Sequence, residues 1–169
     1  MNRKLDAYEL KSGMTFILGA HASNGVVLLA DTKFTIDEGS DEVYDDKIIG
    51  EFYGILMGFA GVRRTFELFR AEIVDYVKDV QARNKIIPME KFLLKASAIT
   101  HNLSTRYGQN YDVLIGIRGK PSILKHMYAD GGIEPVNQWK TIGSGSPFGK
   151  FYLKKYWHQS KTMEDVAEL

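Results

Sequence analysis

The feature that most constrains the fold of this chain is a pair of short apolar runs joined by a tight turn near the N-terminus. The runs are "TFILGA" (15–20) and "GVVLLAD" (25–31), and Asn24-Gly25 lies between them. An Asn-Gly pair between apolar runs predicts a β-hairpin, because both residues tolerate the left-handed backbone of a two-residue turn. We therefore expect a β-meander, continued by strands in 32–36, 44–51 and 52–61 with a turn near Gly50–Glu51.

Helical periodicity follows the meander and then alternates with further strands. Apolar residues recur at helical spacing from about 62 to 83, and again after Pro88, which suits a first helical turn. The remaining expected elements are strands at 111–117 and 122–129, an extended segment at 133–143, and helices from Ser146 and Thr162. This order predicts an α+β layered fold, with antiparallel sheets and helices packed outside them.

Composition excludes several classes of function. The chain has 169 residues, a net charge of +1 and no cysteine. Near-neutrality argues against nucleic-acid binding, and the lack of cysteine excludes disulfides, cysteine zinc sites and thiol nucleophiles. The four histidines show no ligand spacing, so we expect no metal and no cofactor. No apolar stretch could cross a bilayer or form a signal peptide, which favours a cytoplasmic location.

Three residues of the meander could carry nucleophilic chemistry. Thr15 heads the first run, Asp31 ends the second, and Lys47 lies on a later strand. A threonine hydroxyl needs a base, and an N-terminal threonine has one in its own α-amino group, whose pKa is about 7.7–8.0. A lysine would stabilise the forming alkoxide, and a carboxylate would orient that lysine. Each residue is also common in an ordinary strand, so the residues alone leave a purely structural role open.

Five stretches of the chain, taken together, resemble one known family. They are "TFILGAHASNGVVLLAD" (15–31), "DDKIIGEFYGILMGFAG" (45–61), "VLIGI" (113–117), "DGG" (130–132) and "TIGSGSPFGKFYL" (141–153). In this order they resemble the β-type subunits of the proteasome family, which are N-terminal nucleophile hydrolases. The spacings of 16 residues from Thr15 to Asp31 and 32 from Thr15 to Lys47 match that family without a gap. The chain is identified as an archaeal-like, C-terminally incomplete member. Residues 1–14 would be a leader or propeptide, and 15–169 a partial hydrolase domain.

The resemblance implies a four-layer αββα sandwich and a threonine-type endopeptidase subunit of a proteasome-like core particle. It also implies heptameric rings of related subunits, unfolded protein substrates, a regulatory ATPase, and neither a nucleic-acid nor a membrane partner. Thr15 would be nucleophile and base, Lys47 would stabilise its charge, and Asp31 would orient Lys47. Ser144 would support the amine, and the Gly61 N–H would serve as an oxyanion donor. The substrate pocket would be formed by Lys33, Asp45, Ile49, Phe59 and Arg63.

One position departs from the family pattern. Met14 precedes Thr15, where active members usually carry glycine. Cleavage of the Met14–Thr15 bond, or removal of Met14 as an initiator methionine, would each expose Thr15. Without either, the chain would be a non-catalytic structural subunit of the same particle. A third alternative is an N-terminal nucleophile amidase that acts on a small amide.

Overall fold

The architecture comes from a computed structural model, which describes residues 15–36, 41–52, 54–83 and 88–169. Within these ranges it contains ten strands and four helices. They are β1 (Ile17–Ala22), β2 (Gly25–Ala30), β3 (Lys33–Ile36), β4 (Asp41–Tyr44), β5 (Ile48–Phe52), β6 (Ile55–Ala60), α1 (Arg63–Ala82), α2 (Met89–Tyr107), β7 (Asp112–Ile117), β8 (Ile123–Tyr128), β9 (Ile133–Pro135), β10 (Trp139–Ile142), α3 (Ser146–Tyr156) and α4 (Met163–Ala167).

The described strands form three antiparallel sheets. One has the order β10-β1-β2, a second is the pair β3-β4, and the third has the order β5-β6-β7-β8-β9. The N-terminal hairpin is confirmed, and its register places Ala22 opposite Gly25. The two loop residues are therefore Ser23 and Asn24, one position earlier than the Asn-Gly pair suggested. Gly25 also leaves room for α4, because a Cβ there would lie 2.6 Å from the Met163 sulfur and that side chain would have to move.

The three-stranded and five-stranded sheets pack face to face, and helices cover their outer faces. The apolar cluster between the sheets includes Ile17 of β1 and Leu114 of β7. A second cluster lies between the five-stranded sheet and α1 and α2, and a third lies between the three-stranded sheet and α3 and α4. The expected α+β class with antiparallel sheets is confirmed, and the packing is that of a sandwich.

One local expectation was wrong, and another was confirmed only in part. The turn expected near Gly50–Glu51 is absent, because β5 continues through both residues and β6 begins at Ile55. Gly54, with φ of +78°, supplies the left-handed residue between these strands. The extended segment 133–143 splits into β9 and β10, which belong to different sheets, so the chain crosses the sandwich between them.

Among the described helices, none combines the length and the apolar character that crossing a membrane would require.

Candidate active site

The strand register brings Thr15 and Asp31 to the same end of the three-stranded sheet. Thr15 lies just before β1 and Asp31 just after β2, and Ile17 pairs with Ala30 between them. The backbone completes this end, since the Asp31 N–H donates to the Phe16 carbonyl at 3.0 Å. The hairpin therefore fixes the separation of the two candidate side chains.

Lys47 approaches Thr15 and Asp31 from the five-stranded sheet. It lies directly before β5, and its carbonyl accepts a hydrogen bond from the Phe59 N–H of β6 at 3.0 Å. Its Nζ donates to Asp31 Oδ2 at 2.6 Å and to Thr15 Oγ1 at 3.3 Å. The structure thus brings together the three residues that the spacing singled out.

Asp31 links the lysine to the backbone beside Thr15. Its Oδ1 accepts from the Phe16 N–H at 2.6 Å, while Oδ2 holds Lys47. The Lys47 side chain is fully buried, whereas that of Asp31 retains 20% exposure. With one oxygen on the backbone and one on the ammonium, the carboxylate sets the position of the Lys47 Nζ.

Burial lowers the pKa of Lys47 from its usual value, and Asp31 opposes this through its hydrogen bond and its charge. A charge placed away from water acts more strongly on its neighbours than one in solvent. The ammonium therefore stabilises negative charge on Thr15 Oγ1 and makes that hydroxyl easier to deprotonate.

The segment Gly143, Ser144 and Gly145, called the glycine-serine loop, holds the backbone of Thr15 from the side opposite Asp31 and Lys47. The Thr15 N–H donates to Ser144 Oγ at 3.0 Å, and the Gly145 N–H donates to the Thr15 carbonyl at 2.9 Å. Gly143 has φ of +89°, and a Cβ there would collide with the Thr15 carbonyl. The loop can approach so closely because residue 143 is glycine.

Gly61 follows β6 at the point where Ala60 pairs with Asp112. A Cβ on Gly61 would lie 2.6 Å from Tyr111 Cβ, so packing alone requires a small residue here. The role of its N–H as an oxyanion donor stays a prediction.

The residues expected in a substrate pocket lie in different environments. Asp45 and Arg63 are partly exposed and face each other, with 3.9 Å between Asp45 Oδ2 and Arg63 Nη2. Ile49 and Phe59 are buried in the cluster between the five-stranded sheet and its helices. Lys33 is the first residue of β3. Their part in substrate binding stays a prediction.

Sequence reasoning missed two features near or beyond this site. Thr141 and Ser146 hydrogen-bond to each other across the glycine-serine loop. His126 lies between two carboxylates on neighbouring strands. The contact between Thr141 and Ser146 had a weak sequence signal, since two hydroxyl residues flank a glycine-rich loop. The His126 cluster had no sequence signal, because its partners are distant in the chain. In the part of the chain that the structure describes, no group of three or more histidine or acidic side chains is arranged to hold a metal ion.

Fold and site together define a sandwich with a threonine, a buried lysine and an aspartate at one end of its sheets. Many solved structures share the fold, and two of them are structures of Anbu. One is a (Gly-1) mutant of Anbu from Hyphomicrobium sp. strain MC1, with a TM-score of 0.76, 16% identity, and coverage of 91% of this chain and 70% of that one. The other is Anbu from the same strain, with a TM-score of 0.75, 15% identity, and coverage of 91% and 71%. At this identity the likeness shows the fold.

No family model matches the chain, and no characterised protein matches it by sequence. The identification as an archaeal-like β-type subunit of the proteasome family is therefore wrong, since the fold is instead the one seen in Anbu. The physical reason is that the Thr15–Asp31–Lys47 spacing follows from the lengths of two successive hairpins, β1–β2 and β3–β4, that precede β5. Any chain with these strand lengths can share the spacing, so it does not distinguish one family from another.

Proposed function

We propose that this chain is an N-terminal threonine hydrolase that cleaves amide bonds in peptides, on an N-terminal nucleophile hydrolase fold. The observation that carries the proposal is the fully buried Lys47, whose Nζ lies 3.3 Å from Thr15 Oγ1 and 2.6 Å from Asp31 Oδ2. A buried ammonium is costly unless it is paired. Here its pairing directs positive charge at a hydroxyl that would otherwise be a weak nucleophile.

The reaction proceeds in two steps. The neutral α-amine of a mature Thr15 takes the proton of its own hydroxyl, directly or through water, and Oγ1 bonds to the carbonyl carbon of the substrate. The C–N bond then breaks, and the leaving amine receives the proton from the Thr15 ammonium. Water hydrolyses the resulting ester with the amine again as base, which releases the acid product and restores the hydroxyl.

The surrounding groups stabilise charge during these steps. The Lys47 ammonium stabilises the developing alkoxide, and Asp31 keeps that ammonium in place. Ser144 Oγ, which accepts from the Thr15 nitrogen at 3.0 Å, orients the amine. The Gly61 N–H is proposed to donate to the oxyanion, where a backbone donor is well suited.

Exposure of the amine is the condition for activity. In the 169-residue chain the Thr15 nitrogen belongs to the peptide bond with Met14. The proposal therefore includes a leader of residues 1–14 and a hydrolase domain of residues 15–169. Cleavage of the Met14–Thr15 bond, or initiation at Met14 followed by its removal, would produce the mature amine.

Assembly is a further part of the proposal. We infer that the chain acts in the cytoplasm as a subunit of a heptameric ring-shaped particle, which degrades unfolded proteins with a regulatory ATPase. Sizing of the purified protein by light scattering tests this, and a stable monomer, whose mass is 19.1 kDa for the full 169-residue chain and less for the mature one, would contradict it.

Intact mass together with N-terminal sequencing of the purified full-length chain tests the catalytic proposal. The expected mature species begins at Thr15 and hydrolyses peptide substrates. A protein that keeps residues 1–14 and does not turn over would be the structural subunit instead. A protein that begins at Thr15 but cleaves only small amides would be the amidase.

A further inference from the structure

The glycine-serine loop that contacts Thr15 is closed at its base by two hydroxyl side chains, Thr141 and Ser146, called here the hydroxyl clasp. Their Oγ atoms are 2.8 Å apart. Thr141 Oγ1 also donates to the Ser146 carbonyl at 3.1 Å, and Ser146 Oγ donates to the Thr141 carbonyl at 2.9 Å. Thr141 is only 3% exposed, so these bonds form where water competes little.

A proton count shows that the clasp needs both hydroxyls. The three contacts share two hydroxyl protons, because each side chain supplies one. At most two of the three contacts are therefore hydrogen bonds at one time, and removal of either hydroxyl leaves a single hydroxyl proton in the clasp. The carbonyl that accepted from the removed hydroxyl then loses that donor.

The clasp fixes both ends of the segment that holds Thr15. Thr141 is anchored in β10, where it pairs with Leu18 of β1. Ser146 begins α3, and its N–H donates to the Gly143 carbonyl at 3.0 Å. Between them lie residues 142–145, which include Ser144 and Gly145, whose groups bond to the nitrogen and the carbonyl of Thr15.

We propose that Thr141 and Ser146 are positioning residues for the reaction. They act through Ser144, and they hold the Thr15 amine in the geometry in which it can take the hydroxyl proton. This inference rests on the proposed function. A displacement of about 1 Å at a reacting group can cost about 100-fold in rate, so a loosened loop lowers turnover although its residues never touch substrate.

The test compares Thr141→Val and Ser146→Ala with variants that lose similar hydroxyls elsewhere. Ser97 Oγ donates to the Gly131 carbonyl at 2.7 Å, and Thr100 is fully buried with its hydroxyl 3.6 Å from the Met127 sulfur. Ser97→Ala and Thr100→Val therefore report the cost of losing a hydroxyl away from the site. Because all four changes are nearly isosteric, unfolding midpoints provide a common scale for their structural effect.

We expect Thr141→Val and Ser146→Ala to lower kcat by about 10- to 100-fold with KM changed less than about threefold. The two controls should lose comparable stability and keep kcat. Thr141→Ser, which retains the hydroxyl, should recover most of the turnover. The acid limb of the pH profile should also move to lower pH in the two clasp variants, because a loosened Ser144 no longer stabilises the protonated amine.

Hydrogen exchange at the Gly145 amide provides a readout that does not depend on turnover. Its N–H donates to the Thr15 carbonyl, so exchange should be faster in both clasp variants and unchanged in the controls. Normal kcat and normal Gly145 exchange in the clasp variants of an active protein would overturn the inference and leave the proposed function intact. A wild-type chain without turnover and without a Thr15 terminus would overturn the proposed function itself.

Discussion

Two polar clusters in this sandwich each place a buried nitrogen against carboxylate oxygens. Lys47 is fully buried with its Nζ 2.6 Å from Asp31. His126, with 4% side-chain exposure, has Nε2 2.9 Å from Asp112 and Nδ1 3.2 Å from Glu134. By burial and pairing alone, the two clusters would be difficult to rank as functional sites.

The two clusters differ in the chemical groups that the buried nitrogens contact. Both ring nitrogens of His126 face carboxylates, and the cluster continues from Glu134 to Lys140, whose Nζ is 3.0 Å away. These partners come from β7, β9 and β10, so the cluster ties strands of two sheets together. Lys47 instead contacts the hydroxyl of Thr15, a group that can react. The comparison teaches that a buried basic side chain indicates a functional site when it contacts a group that can react. It indicates a structural link between strands when it contacts only carboxylates.

The largest effect is expected for Thr15→Ala. It removes the nucleophile, so peptide hydrolysis and labelling by a hydroxyl-directed probe should fall by at least about 1,000-fold. Thr15→Ser, which keeps a hydroxyl, should retain measurable turnover. Steady-state kinetics on folded protein checks both variants, and unchanged hydrolysis by Thr15→Ala would remove the distinction between the clusters.

Lys47→Met should lower kcat by about 100-fold, because the charge that stabilises the Thr15 alkoxide is lost while the side-chain volume is kept. The matched variant from the other cluster is His126→Gln, for which we expect kcat within about threefold of wild type. The comparison fails if the histidine variant loses as much turnover as the lysine variant at equal folded fraction.

His126→Gln should instead act on stability. An amide can replace one of the two contacts at best, so the free energy of unfolding should fall by about 1–3 kcal/mol. Urea denaturation of wild type and variant measures this difference. A loss below about 0.5 kcal/mol would show that the histidine cluster does not hold the strands together.

The smallest effect is a change in acid sensitivity at Glu134. Hydrogen bonds, first from Tyr128 and then from Lys140 and His126, lower the pKa of Glu134 from 4.5 to about 2. Its stabilising contribution is therefore complete above about pH 4.5 and is lost as the pH falls towards 2. In this pH window the unfolding midpoint of Glu134→Gln should depend less on pH than that of the wild type. An unchanged slope would contradict the role of these hydrogen bonds.

The sequence was sufficient to predict the contacts between residues that are close together in the chain. The hairpin from 15 to 31 follows from two apolar runs and a turn, and its register alone brings Thr15 and Asp31 together. Lys47 could be added because a second short hairpin, β3–β4, leads from Asp31 to the start of β5. The same local origin explains the wrong family identification, since hairpin spacings recur wherever such strands pack.

What lies far apart in the chain could not be predicted from periodicity. Ser144 is 129 residues from Thr15 and reaches it through the β1–β10 pairing, so only the resemblance suggested it. His126 looked like one of four scattered histidines, because its carboxylate partners lie on other strands. From the sequence alone, Thr141 and Ser146 are an ordinary strand residue and an ordinary helix residue. The contact between their hydroxyls depends on the shape of the loop between them.

The central claim is that Thr15 acts through its hydroxyl and its own amine beside Lys47. Reaction of the purified wild-type protein with a peptide epoxyketone, which captures a hydroxyl and an adjacent free amine together, tests it most directly. Peptide mapping by mass spectrometry should find a single adduct on an N-terminal Thr15, and a much slower reaction in Lys47→Met. An adduct on another residue, or peptide hydrolysis by a chain that still carries residues 1–14, would contradict the account.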